Sequence, residues 1–185
     1  MRIAKLAAVY TALALVANSA FAENADIAAL RDGEMQKLRF HDAPVDVSDI
    51  AFLTESGEDI TLAAFEGKTV LLNFWATWCA PCRAEMPALS ALQAEFGGDE
   101  FEVVTVATGR NPLPAMTRFM NEIEVDNLPL NTDPRQGFAR SMGVLGLPVT
   151  VLIDANGQEI ARMQGDADWY SDSGRAIIAA LIAGT

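Results

Sequence analysis

Thr69-Val70-Leu71-Leu72-Asn73-Phe74-Trp75-Ala76-Thr77-Trp78-Cys79-Ala80-Pro81-Cys82 joins two hydrophobic periodicities in one short stretch. Thr69 to Trp75 is an almost unbroken run of apolar and β-branched residues, the pattern of a strand covered on both faces in a parallel sheet. From Cys82 to Phe96 the residues Met86, Leu89, Leu92 and Phe96 fall within one arc of a helical wheel, and Gly97-Gly98 ends the pattern. A buried strand therefore runs straight into a helix. Both cysteines of the chain sit at the junction.

That position has chemical consequences. The first turn of a helix carries unpaired N–H groups and the positive end of the dipole, which favour a thiolate over a thiol. Cys79 is predicted to be the more exposed, low-pKa sulfur. Cys82, one turn inside, is placed to attack Cys79 once Cys79 is bound to a partner, because exchange passes through a mixed disulfide that a neighbouring thiol resolves. Two other readings compete with this one. A structural staple closing so short a loop stabilises by only roughly 2 kcal/mol in the chain-entropy view. A closed zinc site takes four ligands, and the one further strong soft-metal ligand is the single histidine, His41, distant in sequence. No metal and no cofactor are expected, and His41 is read as a solvated surface residue.

Outward from the junction the alternation continues. Phe101 to Ala107 reads as a strand, and Met116, Phe119, Met120 and Ile123 as one face of a helix opened by Pro112 and Pro114. A short helix over Pro134 to Met142 leads to the strand Pro148 to Ile153. The turn Asp154-Ala155-Asn156-Gly157 leads into Glu159 to Met163, and Ile177, Ile178, Leu181 and Ile182 mark a closing helix. The fold class is α/β, a mixed central sheet with helices on both faces, the last hairpin supplying antiparallel edge strands. Upstream, Val47 to Phe52 and Ile60 to Phe65 flank the turn-forming Glu55-Ser56-Gly57-Glu58-Asp59 and predict an N-terminal β-hairpin extension capping a sheet edge. Glu23 to Pro44 reads as a short helix or a loosely held arm, with Ile27, Leu30 and Leu38 as its contacts.

Arg2 and Lys5 precede an apolar run from Leu6 to Ala17, and Ala20-Phe21-Ala22 supplies small residues for a signal peptidase. Residues 1–22 are read as a cleaved signal peptide, with an uncleaved membrane anchor as the alternative, 23–44 as the arm and 45–185 as the folded domain. Export implies an oxidising compartment, here the periplasm, where a cysteine pair acts as a redox couple. A length of 185 residues with 51% hydrophobic and 21% charged residues suits one domain with its leader and excludes a disordered chain. The net charge of −12 argues against nucleic acid as a partner.

Val70 to Pro87, with its Trp78-Cys79-Ala80-Pro81-Cys82 centre, and the downstream Gly143-Val144-Leu145-Gly146-Leu147-Pro148-Val149-Thr150 resemble the thioredoxin superfamily, and within it the periplasmic TlpA-like thiol-disulfide oxidoreductases. The resemblance covers about Val45 to the C-terminus. It implies a thioredoxin fold, Cys79 as nucleophile, Cys82 as resolving thiol, and Pro148 in cis beside the pair, where the backbone around Leu147 and Val149 would receive a substrate strand. Trp78, Ala80, Pro81, Leu147 and Pro148 are the implied substrate-binding residues. Taken alone, Pro148 is a proline opening a strand.

Two departures from the pattern bear on mechanism. Thioredoxin has an aspartate where this chain has Asn73, and an amide cannot carry the proton that the inner thiol exchanges. Glu85, three residues after Cys82, can face the pair and is characteristic of the reducing TlpA-like groups; its other reading is a first-turn acid that complements the helix dipole. Asn73 and Glu85 place no cation near Cys79, which predicts a reducing protein, although Arg83 offers a positive charge nearby. Trp75 is expected to pack, Trp78 to cover the active surface, and Pro87 to be structural. The family implies recharging by a membrane electron conduit of the DsbD or CcdA type. It implies clients with cysteine pairs that must be reduced before they receive copper or haem: cytochrome oxidase copper-site assembly factors, or apocytochrome c. Cytochrome c maturation thioredoxins carry an acidic residue after the cis-proline, and Val149 there tips the reading towards copper. A non-catalytic dithiol that carries Cu(I) is the alternative from another class. The lone-cysteine pattern of a peroxidase is missing.

Overall fold

The structure, a computed structural model, describes residues 26–184. The signal peptide read over residues 1–22 lies outside the described residues. Among those described, no helix is long and apolar enough to cross a membrane.

Strand β4 (Thr69–Trp75) is buried along its whole length and forms the centre of an eight-stranded mixed sheet. It pairs in parallel with β5 (Phe101–Thr108), which pairs in parallel with β6 (Asn131–Asp133). On its other side β4 runs antiparallel to β7 (Val149–Ile153), which turns into β8 (Gln158–Gln164). The predicted upstream hairpin is present as β2 (Phe52–Leu53) and β3 (Asp59–Ile60), docked on β6 at one edge, with strands shorter than the apolar runs suggested.

Two expectations are corrected at the opposite edge. Arg39–Asp46, most of it inside the segment read as a helix or loose arm, is strand β1, antiparallel to β8. The last hairpin is therefore interior rather than an edge. A 3-10 turn over Gly33–Lys37 precedes β1, and Met35, Leu38 and Ile27 are buried in the core while Leu30 stays exposed. Polar and charged side chains make up half of β1 and break up its apolar residues, so the segment lacks the long apolar run that marks a buried strand; its two-residue alternation is also broken by a register shift between Phe40 and Val45.

The period of two along β4 sorts the core. Leu71 and Trp75 face one side with Met86 and Leu89 of α1 (Ala80–Phe96), Met116 and Phe119 of α2 (Leu113–Glu122), and Ile177 and Ile178 of α4 (Asp172–Ala183). Val70, Leu72 and Phe74 face the other, against Phe138 of the short α3 (Gly137–Ser141) and Phe52 of β2. Helices thus cover both faces, the arrangement the family resemblance implies. Asn73 shares its face with Leu71 and Trp75, so this one polar residue of β4's centre points at α1.

Candidate active site

Cys79 and Cys82 are joined by a disulfide, with Cα atoms 5.3 Å apart. Cys79 is the N-cap residue of α1. Its Sγ accepts a hydrogen bond from the Cys82 amide at 3.3 Å, and its carbonyl accepts from the Arg83 amide at 3.1 Å. Cys82 has no exposed surface, while Cys79 keeps 5% of its own, so the pair is approached from the Cys79 side. Trp78 stands 67% exposed beside it, and Ala80 and Pro81 are exposed on the first helical turn. The Leu147–Pro148 peptide bond is cis.

The loop from Gly143 to Leu147 approaches Trp78 and begins at a glycine with φ 68°, a conformation other residues adopt at a cost. Trp78, Arg140, Val144, Leu145, Gly146 and Leu147 line a recess of about 290 Å³. Leu145 is 96% exposed at its rim. Of the backbone around the proline, Val149 is committed to the sheet, opposite Phe74 and Gln164, and the Pro148 carbonyl accepts from the Gly165 amide at 2.9 Å. Leu145, Gly146 and Leu147 make no backbone hydrogen bond among the described residues, leaving their N–H and C=O groups open to an incoming strand. The open edge thus lies before the proline and not at Val149.

Beneath the disulfide lies a short polar chain in an apolar core. The Asn73 side-chain amide donates to Glu85 Oε1 at 2.8 Å and to Thr150 Oγ1 at 2.9 Å. Thr150 sits opposite Asn73 in the β4–β7 register. Glu85 is 3% exposed and lies on the same face of α1 as Cys82. Burial pushes its carboxyl up to about 8, against the opposing pull of the Asn73 amide. The Ala167 amide and Trp169 indole also lower it, but Glu85 Oε2 and Trp169 Nε1 remain without a partner in hydrogen-bond geometry. In the disulfide form Glu85 therefore holds a proton at neutral pH.

The Arg83 guanidinium stacks over the Phe119 ring at 4.4 Å. Two residues without a sequence signal complete the surroundings. Thr150 terminates the chain of hydrogen bonds. Asn111 is buried, accepts from the Thr77 amide at 2.8 Å and from the Thr77 hydroxyl at 2.9 Å, and donates to the Thr108 carbonyl at 2.9 Å, fastening the loop that carries Trp78 and Cys79. His41 is likewise not a free surface residue. Its Nε2 lies 2.6 Å from Glu159 Oε1, and Glu159 also accepts two hydrogen bonds from Arg162. Burial would raise the Glu159 carboxyl, but the bonds from Arg162 and His41 outweigh it and hold the group below its ordinary value. Among the described residues no group of three or more histidine, cysteine or acidic side chains is arranged to hold a metal.

A cysteine pair at the N-terminus of a helix that follows the central strand, in a chain with a cis-proline opening the neighbouring strand, fits the thioredoxin superfamily's architecture, and the chain belongs to the Redoxin family, which it matches over residues 41–177. It is similar to the thioredoxin-like protein YneN of Bacillus subtilis, 38% identical over 110 residues that cover 59% of this chain and 64% of that one. It is also similar to the thiol-disulfide oxidoreductase ResA of the same organism, 34% identical over 110 residues covering 60% of each. The chain spans less than two thirds of the length of these relatives. Among solved structures, a secreted Mycobacterium tuberculosis disulfide oxidoreductase homologous to Escherichia coli DsbE matches with a TM-score of 0.60 and 28% identity, over 72% of this chain and 96% of that one.

Proposed function

We propose that this protein is a periplasmic thiol-disulfide oxidoreductase that works as a reductase of cysteine pairs in client proteins. The observation that carries the reading is the Cys79–Cys82 disulfide at the start of α1, whose only remaining surface is the 5% kept by Cys79, with the unpaired backbone of Leu145 to Leu147 beside the neighbouring Trp78. In the reduced protein the Cys79 thiolate attacks one sulfur of a client disulfide, forming a mixed disulfide and releasing one client thiolate. Cys82 then attacks Cys79 Sγ, closing the disulfide and releasing the second client thiolate. Two electrons pass to the client, and its two sulfurs take up two protons. Glu85 receives the proton that Cys82 gives up, which accords with a carboxyl that is protonated when the disulfide is closed. Asn73 orients it without exchanging a proton. Trp78, Ala80, Pro81, Leu147 and Pro148 form the client-facing surface.

The clients are proteins whose cysteines must be reduced before receiving copper, such as cytochrome oxidase copper-site assembly factors. A membrane conduit of the DsbD or CcdA type returns the electrons. The reading is tested by insulin reduction with the reduced protein beside Cys79→Ser and Cys82→Ser. Turnover by the parent, its loss in Cys79→Ser and a trapped mixed disulfide in Cys82→Ser support it. Tight Cu(I) binding with no exchange overturns it in favour of a copper carrier.

A further inference from the structure

On the β1 side of the cis-proline loop lies a groove of about 580 Å³, lined by Lys37, Arg39 and His41 on one wall, Gly143 and Leu145 on the other, and Arg162 and Gln164 on the floor among others. Its charge runs against that of the whole chain, which is −12. Arg39 and Arg162 sit directly opposite each other in the β1–β8 register, an arrangement that like charges make unfavourable. Arg162 is compensated by Glu159 beneath it. Lys37 bonds the Asp166 carbonyl and pairs loosely with Glu34 at 3.5 Å. The Arg39 side chain is exposed and has no hydrogen-bond or ion-pair partner among the described residues, although its backbone pairs with Arg162 in the sheet, and the side-chain amide of Gln164 on the floor is also unpaired.

The groove adjoins the recess beside Trp78, with Leu145 standing at the rim of both. A client strand laid along the open backbone of Leu145 to Leu147 would thus pass from the cysteines into a basic channel. Resting on the reductase reading above, we propose that this groove docks an acidic segment of the client next to its cysteine pair, its carboxylates meeting Arg39 and the exposed flank of Arg162. Acidic residues satisfy the unpaired guanidinium and relieve the Arg39–Arg162 repulsion, whereas a basic or neutral segment does neither. The strand that supplies Arg39 is the one read as a loose arm in the sequence, so the N-terminal segment contributes to client choice as well as to the sheet.

The test uses two synthetic peptides with the same internal cysteine disulfide, one flanked by Asp and Glu, the other by Asn and Gln at the same positions. The reduced protein is expected to show kcat/KM several-fold higher for the acidic peptide at low salt, the preference shrinking as salt screens the charges. Arg39→Glu, a change at an exposed and unpaired position, is expected to lower kcat/KM for the acidic peptide by about tenfold while leaving the neutral one unchanged. Equal rates for the two peptides, or an equal loss on both in Arg39→Glu, overturns the proposal. Binding of the acidic peptide with its cysteines changed to serine, followed by fluorescence anisotropy on the oxidised protein, reads the groove without any exchange chemistry. Salt-sensitive binding that Arg39→Glu weakens supports the groove even if neither peptide is reduced, a result that sinks only the reductase reading; no binding in this arm overturns the groove alone.

Discussion

The side-chain amide of Asn73 lies 2.8 Å from Glu85 Oε1, so the one polar residue in the middle of the buried central strand is spent on holding a buried acid one helical turn from Cys82. A neutral partner leaves that acid free to keep its proton. An arginine or lysine there would instead have drawn the proton off.

Stability should fall with pH because of Glu85. Its folded value of about 8 stands above the 4.5 of the unfolded chain, so its contribution is complete below about 4.5 and is lost as the pH rises to about 8. The expected slope in that window is about 1.4 kcal/mol per pH unit for the oxidised protein. Glu85→Gln keeps the shape and removes the titration, and is expected to flatten the slope in urea unfolding followed from pH 5 to 9. An unchanged slope in Glu85→Gln would show that the carboxyl does not titrate as its burial requires.

Glu159 should act in the opposite sense. Its folded value is depressed, so the stability it lends is present above the unfolded 4.5 and is lost as the pH falls through the folded value. Glu159→Leu strands Arg162 and His41 without their acceptor. Removing one member of a buried pair costs about 3–5 kcal/mol, and Arg162 keeps enough surface to recover water, so a loss of about 2 kcal/mol is expected. Chemical denaturation at pH 7 checks it; a neutral or stabilised variant would mean that the pair does not repay its desolvation.

The loop before Cys79 should loosen in Asn111→Ala. Thr77 loses an acceptor for both its amide and its hydroxyl, at an expected cost of about 1–3 kcal/mol. Asn111→Asp keeps the acceptor for Thr77 but gives up the bond to the Thr108 carbonyl, and is expected to recover only part of the kcat/KM lost by the alanine variant. Equal activity in all three proteins would show that the clamp does not position the cysteines.

Much of this was legible in the chain because it is written in local patterns. The buried run Thr69–Trp75, the helical arc ending at Phe96 and the cysteines between them needed only periodicity and end signals to place. What the sequence hid is pairing between distant residues. Arg39–Asp46 carries no apolar run, so its partnership with β8 leaves no trace at its own position. His41 meets an acid 118 residues away, and Thr77 an asparagine 34 residues away. The stacking of Arg83 on the Phe119 ring, 36 residues away, is likewise not visible in the local pattern.

Reduction should leave two unlike thiols. Cys79 keeps the surface of the pair, sits at the N-cap where dipole and open amides favour an anion, and already accepts the Cys82 amide at Sγ. Cys82 is sealed under α1 beside Glu85, a carboxyl that offers it no positive charge. Burial without a cation raises a thiol, whereas a helix N-terminus lowers it. Alkylation of the reduced protein by iodoacetamide, read by mass spectrometry across pH 5 to 10, is therefore expected to label Cys79 first, with an apparent pKa below the 8.5 or so of a free cysteine. Cys82 is expected to react at least about tenfold more slowly at pH 7, and Glu85→Gln should change its profile more than that of Cys79. Equal labelling of both sulfurs across the range would remove the asymmetry on which attack and release depend.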